Sequence, residues 1–491
     1  MIHARFNSRK VAALLVAGLG PLLAGPAAGQ EVSGIGAAAA AIESAVVEAI
    51  AKAEKSVVAV ARVRKERPGD AAVEFRPDPF GRRILPSAPP QPTDPDFLPS
   101  EFGAGVVVDA RGLILTSYQL LDDDSDYYVT TIERKAYRAW VKGADPRSDL
   151  AVLAIDAAKL TPIALGDAAT LRKGQIVIAL GNPYAIAHDG QASAAWGIVA
   201  NLARKAPAGH DDGEASSRRT LHHFGTLIQT DAKLNLGASG GALVNLRGEM
   251  VGLTVAAAAT AGHETAAGYA IPADATFRRA LESLKLGREV EYGFLGVQPT
   301  NLRPEEVAAG LQGMRVDRIV PGTPAARSGL RPDDIIAAVE GAPIHDADGL
   351  VLEVGKLPVD AVARLDVVRN GRPRTLEVTL GKYPVRGRKI VTDPPPAWRG
   401  LRVDYPTALL DGDARPRGGL SFADEGVLVA EVAEGSAAWQ AGLRRGMLVS
   451  HAAGTAVRTP KEFRAAVAGR AGNVALRVGG EDDKLVRPAP H

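Results

Sequence analysis

Between residues 102 and 272 the sequence consists largely of short apolar segments, each bounded by Gly, Pro or Asn. Segments of this kind at close spacing are typical of antiparallel strands in a β-sandwich or β-barrel. The predicted strands are residues 102–109, 113–121, 127–131, 136–141, 150–153, 176–180, 195–199 and 226–230. The pattern therefore predicts a mainly β fold, and a chain of 491 residues has room for two to four domains.

The first hundred residues contain segments of a different kind. Residues 36–55, rich in Ala, Glu and Lys with spaced apolar residues, predict an amphipathic helix, and residues 56–63 predict a strand. The many prolines and charges of residues 66–100 predict a long surface loop. Residues 1–29 combine basic residues, a short apolar run and a small-residue site, which predicts a cleaved secretory signal peptide. A retained membrane anchor is the alternative.

Residues 237–244 read Gly-Ala-Ser-Gly-Gly-Ala-Leu-Val and place a serine on a glycine-rich turn before an apolar strand. A turn through Gly237 and Ala238 lets the amide N–H groups of Gly237 and Ser239 converge, as the donors of an oxyanion hole do. The two glycines after the serine leave space for a substrate backbone. A simple Gly/Ser turn between strands is the alternative. The first interpretation predicts Ser239 as a nucleophile for acyl transfer.

The order and spacing of several segments resemble the trypsin-fold protease domain of the HtrA/Deg family of serine proteases. The matching segments are residues 102–105, 112–116, 143–153, 165–167, 181–183, 229–232, 237–243 and 268–272. The resemblance covers residues 102–285 and implies two six-stranded β-barrels with the active site between them. It also implies a periplasmic or cell-envelope protein that forms a trimer.

The resemblance assigns Ser239 as the nucleophile and Asp149 as the acid that orients the base, but Gln119 stands at the histidine position. A glutamine amide has no nitrogen that titrates near neutral pH, so it cannot accept the serine proton. Loss of one triad member typically lowers the rate by about four to six orders of magnitude. Ala238 and Leu236 also replace a usual asparagine and a common proline. The sequence therefore predicts a protease fold that has lost, or nearly lost, hydrolysis.

An active protease with an atypical base is the alternative. The domain contains five histidines: His188, His210, His222, His223 and His263. His222 and His223 precede the strand that leads to Gln229, which could bring them near Ser239, whereas the loop contexts of the other three predict solvated side chains. Lys233 could form a Ser–Lys pair but is expected to point into solvent. A third possibility is a scaffold that modulates an active relative by mixed assembly.

Two segments of the C-terminal half repeat with an offset of 113 residues. Residues 322–331 match 435–444, and residues 335–339 match 448–452. Both copies resemble PDZ domains of the HtrA type, which we expect at residues 290–385 and 397–487. The resemblance implies that they bind extended peptides, often C-terminal ones, by adding a strand to a sheet edge. A role in assembly or spacing without a peptide ligand is the alternative.

The two PDZ-like segments differ at the loop that would hold a peptide carboxylate. In the first, Phe294, Leu295, Gly296 and Val297 fit this loop. In the second, Arg402 stands where we expect the glycine, which argues against carboxylate capture there. A proline-rich linker at residues 393–396 separates the two domains and is expected to be stiff.

Composition limits the remaining function classes. Cysteine is absent, which excludes thiol catalysis and disulfides. The formal net charge of +2 includes three basic residues of the signal segment, so the remaining chain is close to neutral and gives no indication of a nucleic-acid partner. We expect no cofactor, no metal site and no stable membrane span. The expected partners are unfolded proteins or peptide C-termini.

Overall fold

The computed structural model describes residues 28–65, 101–182, 190–205, 220–234, 237–255, 268–409, 426–479 and 482–488. Contacts divide the chain into two compact units, residues 1–47 and 48–491. Helix α1 (Ala28–Ala53) contains most of the predicted amphipathic helix. None of the helices in the described ranges is both long and apolar enough to cross a membrane. The predicted signal peptide up to residue 27 and the predicted loop at residues 66–100 lie outside the described residues.

Six antiparallel strands form the first barrel. They are β1 (Val57–Arg64), β2 (Glu101–Asp109), β3 (Leu113–Ser117), β4 (Ser125–Thr130), β5 (Ala136–Asp145) and β6 (Leu150–Ile155). The strand order is β5-β4-β1-β2-β3-β6, and β6 pairs again with β5. Inward-facing Val60, Ile114, Val129 and Leu153 are fully buried and form part of its core.

The first barrel includes a strand from before the predicted protease domain. Strand β1 pairs with β2 on one side and with β4 on the other, so a strand that precedes residue 102 belongs to the barrel. The sequence did not indicate this pairing because the partners of β1 lie beyond a long intervening segment, at residues 101–106 and 125–130. Local sequence cannot show such non-local pairing.

The second barrel is closed and has the strand order β10-β11-β12-β9-β8-β7. Its strands are β7 (Ile176–Gly181), β8 (Ser193–Arg204), β9 (Leu227–Thr230), β10 (Ala242–Val244), β11 (Met250–Val255) and β12 (Gly268–Pro272). Helix α2 (Ala275–Lys285) follows, and the Asp274 carboxylate caps it by accepting from the Phe277 amide at 2.9 Å. Two six-stranded barrels confirm the predicted trypsin-like fold.

The next domain contains a sheet in which five strands have the order β14-β15-β16-β18-β19 and the short strand β17 pairs with β16. Strands β13 and β20 form a separate two-stranded sheet. Its elements are β13 (Gly293–Phe294), β14 (Val297–Asn301), α3 (Pro304–Ala308), β15 (Met314–Ile319), α4 (Pro324–Arg327), β16 (Ile335–Val339), β17 (Ala342–Pro343), α5 (Ala347–Lys356), β18 (Val362–Arg369), β19 (Arg372–Thr379) and β20 (Gly381–Lys382). Strand β14 is an edge strand of this sheet, with helix α5 beside it.

After this domain the chain returns to the first barrel before it enters the last domain. Strand β21 (Ile390–Val391) pairs with Gly143 and Ala144 of β5. The last domain contains β22 (Leu401–Asp404), β23 (Val427–Val432), α6 (Ala437–Gln440), β24 (Leu448–Ala452), β25 (Thr455–Ala456), α7 (Pro460–Val467), β26 (Val474–Val478) and β27 (Asp482–Val486). Its order β22-β23-β24-β26-β27 matches that of the preceding domain, as the sequence repeat predicted.

Candidate active site

Ser239 lies half-buried on a turn that touches both barrels. The carbonyl of Ser239 accepts from the Ala104 amide of β2 at 2.8 Å. Behind the serine, the Gly240 amide donates to the Thr254 carbonyl at 2.8 Å, and the Thr254 hydroxyl donates to the Ala238 carbonyl at 2.5 Å. These bonds fix the turn to strand β2 of the first barrel and to strand β11 of the second, so the serine lies where the barrels meet.

The turn requires glycine at two positions. Gly237 has φ +88°, and a Cβ there would lie 2.4 Å from the Asn182 carbonyl oxygen. Gly240 has φ +83°, and a Cβ there would lie 2.3 Å from the Ala104 carbonyl oxygen. Both positions combine a left-handed backbone with contacts too close for any side chain. The predicted donors Gly237 and Ser239 are therefore held on a rigid backbone turn, whereas Leu236 lies outside the described residues.

Gln119 takes the place of the base and contacts Asp149 directly. It lies in a 3-10 turn (Tyr118–Leu120) immediately after β3, and Asp149 lies immediately before β6, which pairs with β3. The Gln119 side-chain amide donates from Nε2 to Asp149 Oδ2 at 3.1 Å, and its backbone N–H donates to Oδ1 at 3.2 Å. An ionised Asp149 only accepts hydrogen bonds, so in that state the amide presents NH₂ to Asp149 and turns its oxygen away.

Ser117 is a partner of Asp149 that the sequence did not point out. Its hydroxyl donates to Asp149 Oδ1 at 3.1 Å and accepts from the backbone N–H of Gln119 at 3.2 Å. A hydroxyl residue just before a short turn is a capping signal, and this signal could have identified it. A Cβ on Gly240 would lie 3.2 Å from the Ser117 amide nitrogen. Ser117 therefore joins Asp149 to the backbone of Gln119 and lies close to the turn that carries Ser239.

Asp149 is buried and has φ +55°. Burial raises its pKa to about 7, although the hydrogen bonds from Ser117 and Gln119 oppose this shift. A neutral amide beside the carboxyl supplies no positive charge that could stabilise the ionised form. The site therefore holds an acid that is half-protonated near neutral pH, and no described group among its hydrogen-bonding partners is a proton acceptor for Ser239.

The Asp149→Asn variant is expected to gain stability relative to the wild type as the pH rises from 5 to 8. A carboxyl that titrates near 3.8 when unfolded and near 7 when folded loses its proton less readily in the folded state. The penalty on the folded state therefore develops between these two pH values and is complete above the higher one. From pH 5 to pH 8, the unfolding free energy of Asp149→Asn should rise by about 2 to 3 kcal/mol relative to that of the wild type.

Urea denaturation at pH 5, 6, 7 and 8 measures this difference. The exposed Asp156 of the same barrel provides a matched control, and Asp156→Asn should show no comparable gain. A difference between wild type and Asp149→Asn that stays constant across this range would contradict a raised pKa for Asp149.

His222, the histidine next to the site, forms hydrogen bonds through both of its ring nitrogens. His222 is buried in a 3-10 turn (Leu221–Phe224), and its Nε2 lies 2.9 Å from the Ser148 carbonyl oxygen. This nitrogen must donate, so Nδ1 accepts from the Thr226 hydroxyl at 2.7 Å. Burial lowers the pKa of His222 to about 4. His222 thus supports the segment before Asp149 and has no nitrogen left to act as a base.

The other candidate bases do not gain support from the structure. Nδ1 of His223 lies 3.2 Å from the Thr220 hydroxyl, and Lys233 is exposed, as predicted. The three remaining histidines of the domain, His188, His210 and His263, lie outside the described residues.

The segment before Asp149 is clamped by the first PDZ-like domain, which the sequence did not predict. The Tyr292 hydroxyl donates to Asp145 Oδ2 at 2.5 Å, and the Ser148 hydroxyl donates to the same oxygen at 2.7 Å. The guanidinium of Arg147, which is fully buried, lies 3.5 Å from the centroid of the Tyr383 ring. Because Tyr292 and Tyr383 are distant in sequence, no local pattern could have indicated this clamp.

The predicted carboxylate loop of the first PDZ-like domain turns at Gly296. Gly296 has φ +88°, and the Thr323 side chain packs where its Cβ would be. The Gly296 carbonyl accepts from the Val320 amide at 2.9 Å, so the backbone groups of Val297 face away from β15, toward the open edge. Leu295 is buried in the domain core, and Phe294 packs edge-on against Tyr383.

The glycine of the second PDZ-like domain lies at a different position from the predicted one. Gly400 has φ +83° and packs against Ser436, as Gly296 packs against Thr323. Gly400, and not Arg402, therefore corresponds to Gly296, and the prediction that arginine replaces the glycine was wrong. The offset of 113 residues aligned the later segments, but the two-residue shift of the loop glycine could not be detected from so short a motif. The Arg402 guanidinium instead pairs with Glu431 at 2.6 Å.

Comparisons with known proteins agree with this architecture. Residues 103–253 match the sequence model of the trypsin-like peptidase domain, and residues 293–380 match that of the PDZ domain. The chain is 29% identical over 431 residues to the periplasmic pH-dependent serine endoprotease DegQ of Escherichia coli K12, and this alignment covers 87% of each chain. It is 30% identical over 391 residues to the periplasmic serine endoprotease DegP of Salmonella typhimurium, covering 78% of this chain and 75% of that protein.

A solved structure has the same fold. The HtrA-type protease AlgW with decapeptide superposes with a TM-score of 0.50 at 27% identity, covering 69% of this chain and 98% of that one.

Proposed function

Since this chain belongs to the HtrA family of serine proteases, we propose that it is a member whose protease domain no longer hydrolyses peptides and which acts by binding peptide C-termini and unfolded proteins. The observation that carries the proposal is the contact between Gln119 and Asp149. The side-chain amide of Gln119 is hydrogen-bonded to Asp149, the acid that would orient a histidine. This amide offers Ser239 no titratable nitrogen. Ser239 therefore keeps its place on the turn, and the residue at the family's histidine position does not supply a base for it.

The rest of the site supports a binding role. The glycine turn that carries the predicted oxyanion donors is intact, and such donors bind an extended backbone or a carboxylate without any proton transfer. An active enzyme would need another base within about 3 Å of the serine oxygen. The two nitrogens of His222 are already occupied by Ser148 and Thr226, which weakens the case for such a base.

The first PDZ domain supplies the peptide-binding surface in this proposal. Its β14 is an edge strand that exposes backbone groups, and the loop from Phe294 to Val297 leads directly into that strand. A peptide that adds a strand to β14 would place its C-terminal carboxylate at the amides of this loop. The periplasmic relatives favour the same compartment for this chain, and a homotrimer stays a prediction of the family resemblance.

The full-length protein is expected to bind a peptide with an apolar C-terminus at least tenfold more tightly than the corresponding C-terminal amide. The free energy should be on the order of −7 to −8 kcal/mol, which corresponds to micromolar affinity. Fluorescence anisotropy of labelled acid and amide peptides measures the difference. The amide should bind more weakly because it lacks the charge that the loop amides accept.

A pair of glycine variants makes the test specific. Gly296→Ala should weaken acid binding about tenfold, because its φ is +88° and a Cβ would overlap Thr323. Gly310→Ala has nearly the same φ, +86°, but no atom within 4 Å of the added Cβ, so it should leave affinity unchanged. Equal binding of acid and amide, or equal effects of the two variants, would rule out this loop as the carboxylate site.

A further inference from the structure

The second PDZ domain differs from the first in what occupies the edge of its peptide-binding strand. Strand β22 corresponds to β14, and Leu401 corresponds to Val297, since each follows a matching glycine. The Gly400 carbonyl accepts from the Ala433 amide at 2.8 Å, just as the Gly296 carbonyl accepts from Val320. The backbone groups of Leu401 therefore also face the outer edge of the sheet.

In the second domain these outward groups are already bonded within the chain. The Leu401 amide donates to the Trp398 carbonyl at 2.8 Å, and the Trp398 amide donates to the Leu401 carbonyl at 2.9 Å. Arg399 and Gly400 have φ +50° and +83°, so residues 398–401 form a tight two-residue hairpin turn. In the first domain, by contrast, the corresponding residue Phe294 pairs with Gly381 of β20 and not with Val297.

The side chain of Trp398 contacts the helix beside β22. Its ring lies edge-on to Phe463 of helix α7, with centroids 5.9 Å apart. Helix α7 corresponds to α5 of the first domain, so the indole contacts the helix that would flank a bound peptide. Trp398 also packs against the apolar core that contains Leu401 and Val467.

Arg399 fastens this arrangement to the rest of the domain. Its guanidinium donates to the carbonyls of Val486, Arg470 and Gly472 at 2.6 to 2.8 Å. The same group lies 4.8 Å from the centroid of the Trp398 ring. The carbonyls lie in the loop after helix α7 and at the end of β27, so Arg399 joins the hairpin to these two segments.

We propose that the linker segment 394–398 is an internal ligand of the second PDZ domain, and that this domain contains a latent peptide site that Trp398 covers. A C-terminal peptide would bond to β22 only after Trp398 leaves, because the single N–H of Leu401 already donates to the Trp398 carbonyl. The proposal rests on the peptide-binding function proposed for the first domain. It extends that function to a second site, which the wild-type chain keeps closed.

Hydrogen–deuterium exchange of the full-length protein, with and without a decapeptide ending in valine, tests the proposal. In the wild type, the peptide should slow exchange at residues 295–301 and leave residues 398–404 unchanged. In Trp398→Ala, the peptide should slow exchange in both segments, and titration should give two peptides per chain instead of one. Protection of residues 398–404 by peptide in the wild type would overturn the proposal.

Two further variants control for folding and specificity. Arg399→Gly retains the positive φ but removes the guanidinium bonds, and it should also open the second site. Trp439→Ala removes a tryptophan that stacks on Arg444 of the same domain, 3.7 Å from its guanidinium, and should leave one peptide per chain. If Trp398→Ala and Arg399→Gly fold, as slow exchange at helix α7 would show, yet still bind one peptide, the second domain contains no latent site. Loss of the response at residues 295–301 would instead refute the function proposed for the first domain.

Discussion

Replacing Gln119 with histidine is expected to restore serine-dependent hydrolysis of an unfolded protein, with turnover about 10² to 10⁴ times that of the wild type. A missing triad member costs roughly four to six orders of magnitude, and restoring it should recover part of this loss. Recovery should be partial because the family's usual asparagine and proline are replaced by Ala238 and Leu236, and one misplaced oxyanion donor costs about a hundredfold or more.

The structure favours this repair because the backbone at residue 119 is already in place. Its N–H donates to Asp149 Oδ1 at 3.2 Å whatever the side chain is. An imidazole there would donate from Nδ1 to Asp149, as the amide Nε2 of glutamine does at 3.1 Å, and would direct Nε2 toward the serine. The imidazolium formed during catalysis would also stabilise the ionised carboxylate of Asp149.

Digestion of fluorescent casein measures the effect, and Gln119→Asn is the matched control. Asparagine carries an amide nitrogen at the same distance along the side chain as the imidazole Nδ1 but has no titratable group, so it should stay inactive. The double variant Gln119→His, Ser239→Ala should also be inactive. If Gln119→His folds but is no more active than Gln119→Asn, the missing imidazole is not what prevents hydrolysis.

The second large effect is expected for Lys382→Met, which should destabilise the protein by about 3 to 5 kcal/mol. The ammonium group of Lys382 is buried and contacts the carboxylates of Glu289, Glu291 and Asp404 at 2.8 to 3.4 Å. Burial lowers the pKa of Lys382, but these carboxylates outweigh that effect and raise it above its ordinary value. Removal of the cation would leave like charges together in a poorly solvated place.

This cluster joins parts of the molecule that are far apart in sequence. Glu289 and Glu291 lie between helix α2 and strand β13, whereas Asp404 belongs to strand β22 of the second PDZ domain. The loss should therefore appear as an earlier urea unfolding transition and as easier proteolysis between the PDZ domains. It should be smaller at pH 4 than at pH 8, because protonation neutralises the carboxylates that the lysine no longer balances.

Lys389→Met is the matched control for this cluster. Lys389 also pairs with Glu289, but its side chain is 30% exposed, whereas that of Lys382 is 3% exposed. Because partly solvated ion pairs contribute little, this variant should lose about 1 kcal/mol or less. Similar losses for the two variants would show that burial of Lys382 is not the cause.

The sequence predicted the parts of the site that depend on local spacing. The serine turn, the acid before a buried strand and the residue after β3 each lie within a short motif, and the structure brings Gln119 and Asp149 into direct contact. Most strands were also predicted close to their observed bounds, because alternating apolar residues and turn residues mark both ends. Strand pairing between neighbours then follows from short connections.

The features that sequence reasoning missed depend on contacts between distant segments. Strand β1 joins the first barrel across a long segment, and β21 pairs with β5 although more than two hundred residues separate them. The clamp of Tyr292 on Asp145 and the turn of Trp398 onto Phe463 have the same origin. None of these contacts leaves a periodic pattern in the chain, since each needs only one or two side chains at the right place in the fold.

The most direct test of the central claim compares the wild type with Ser239→Ala in the casein assay. Both proteins should digest the substrate at the same background rate, because Gln119 cannot accept the serine proton and the proposed function assigns no other base. Folding of each protein is checked by thermal denaturation, so that inactivity cannot result from loss of structure. Digestion by the wild type that disappears in Ser239→Ala would contradict the account and would show that another group acts as the base.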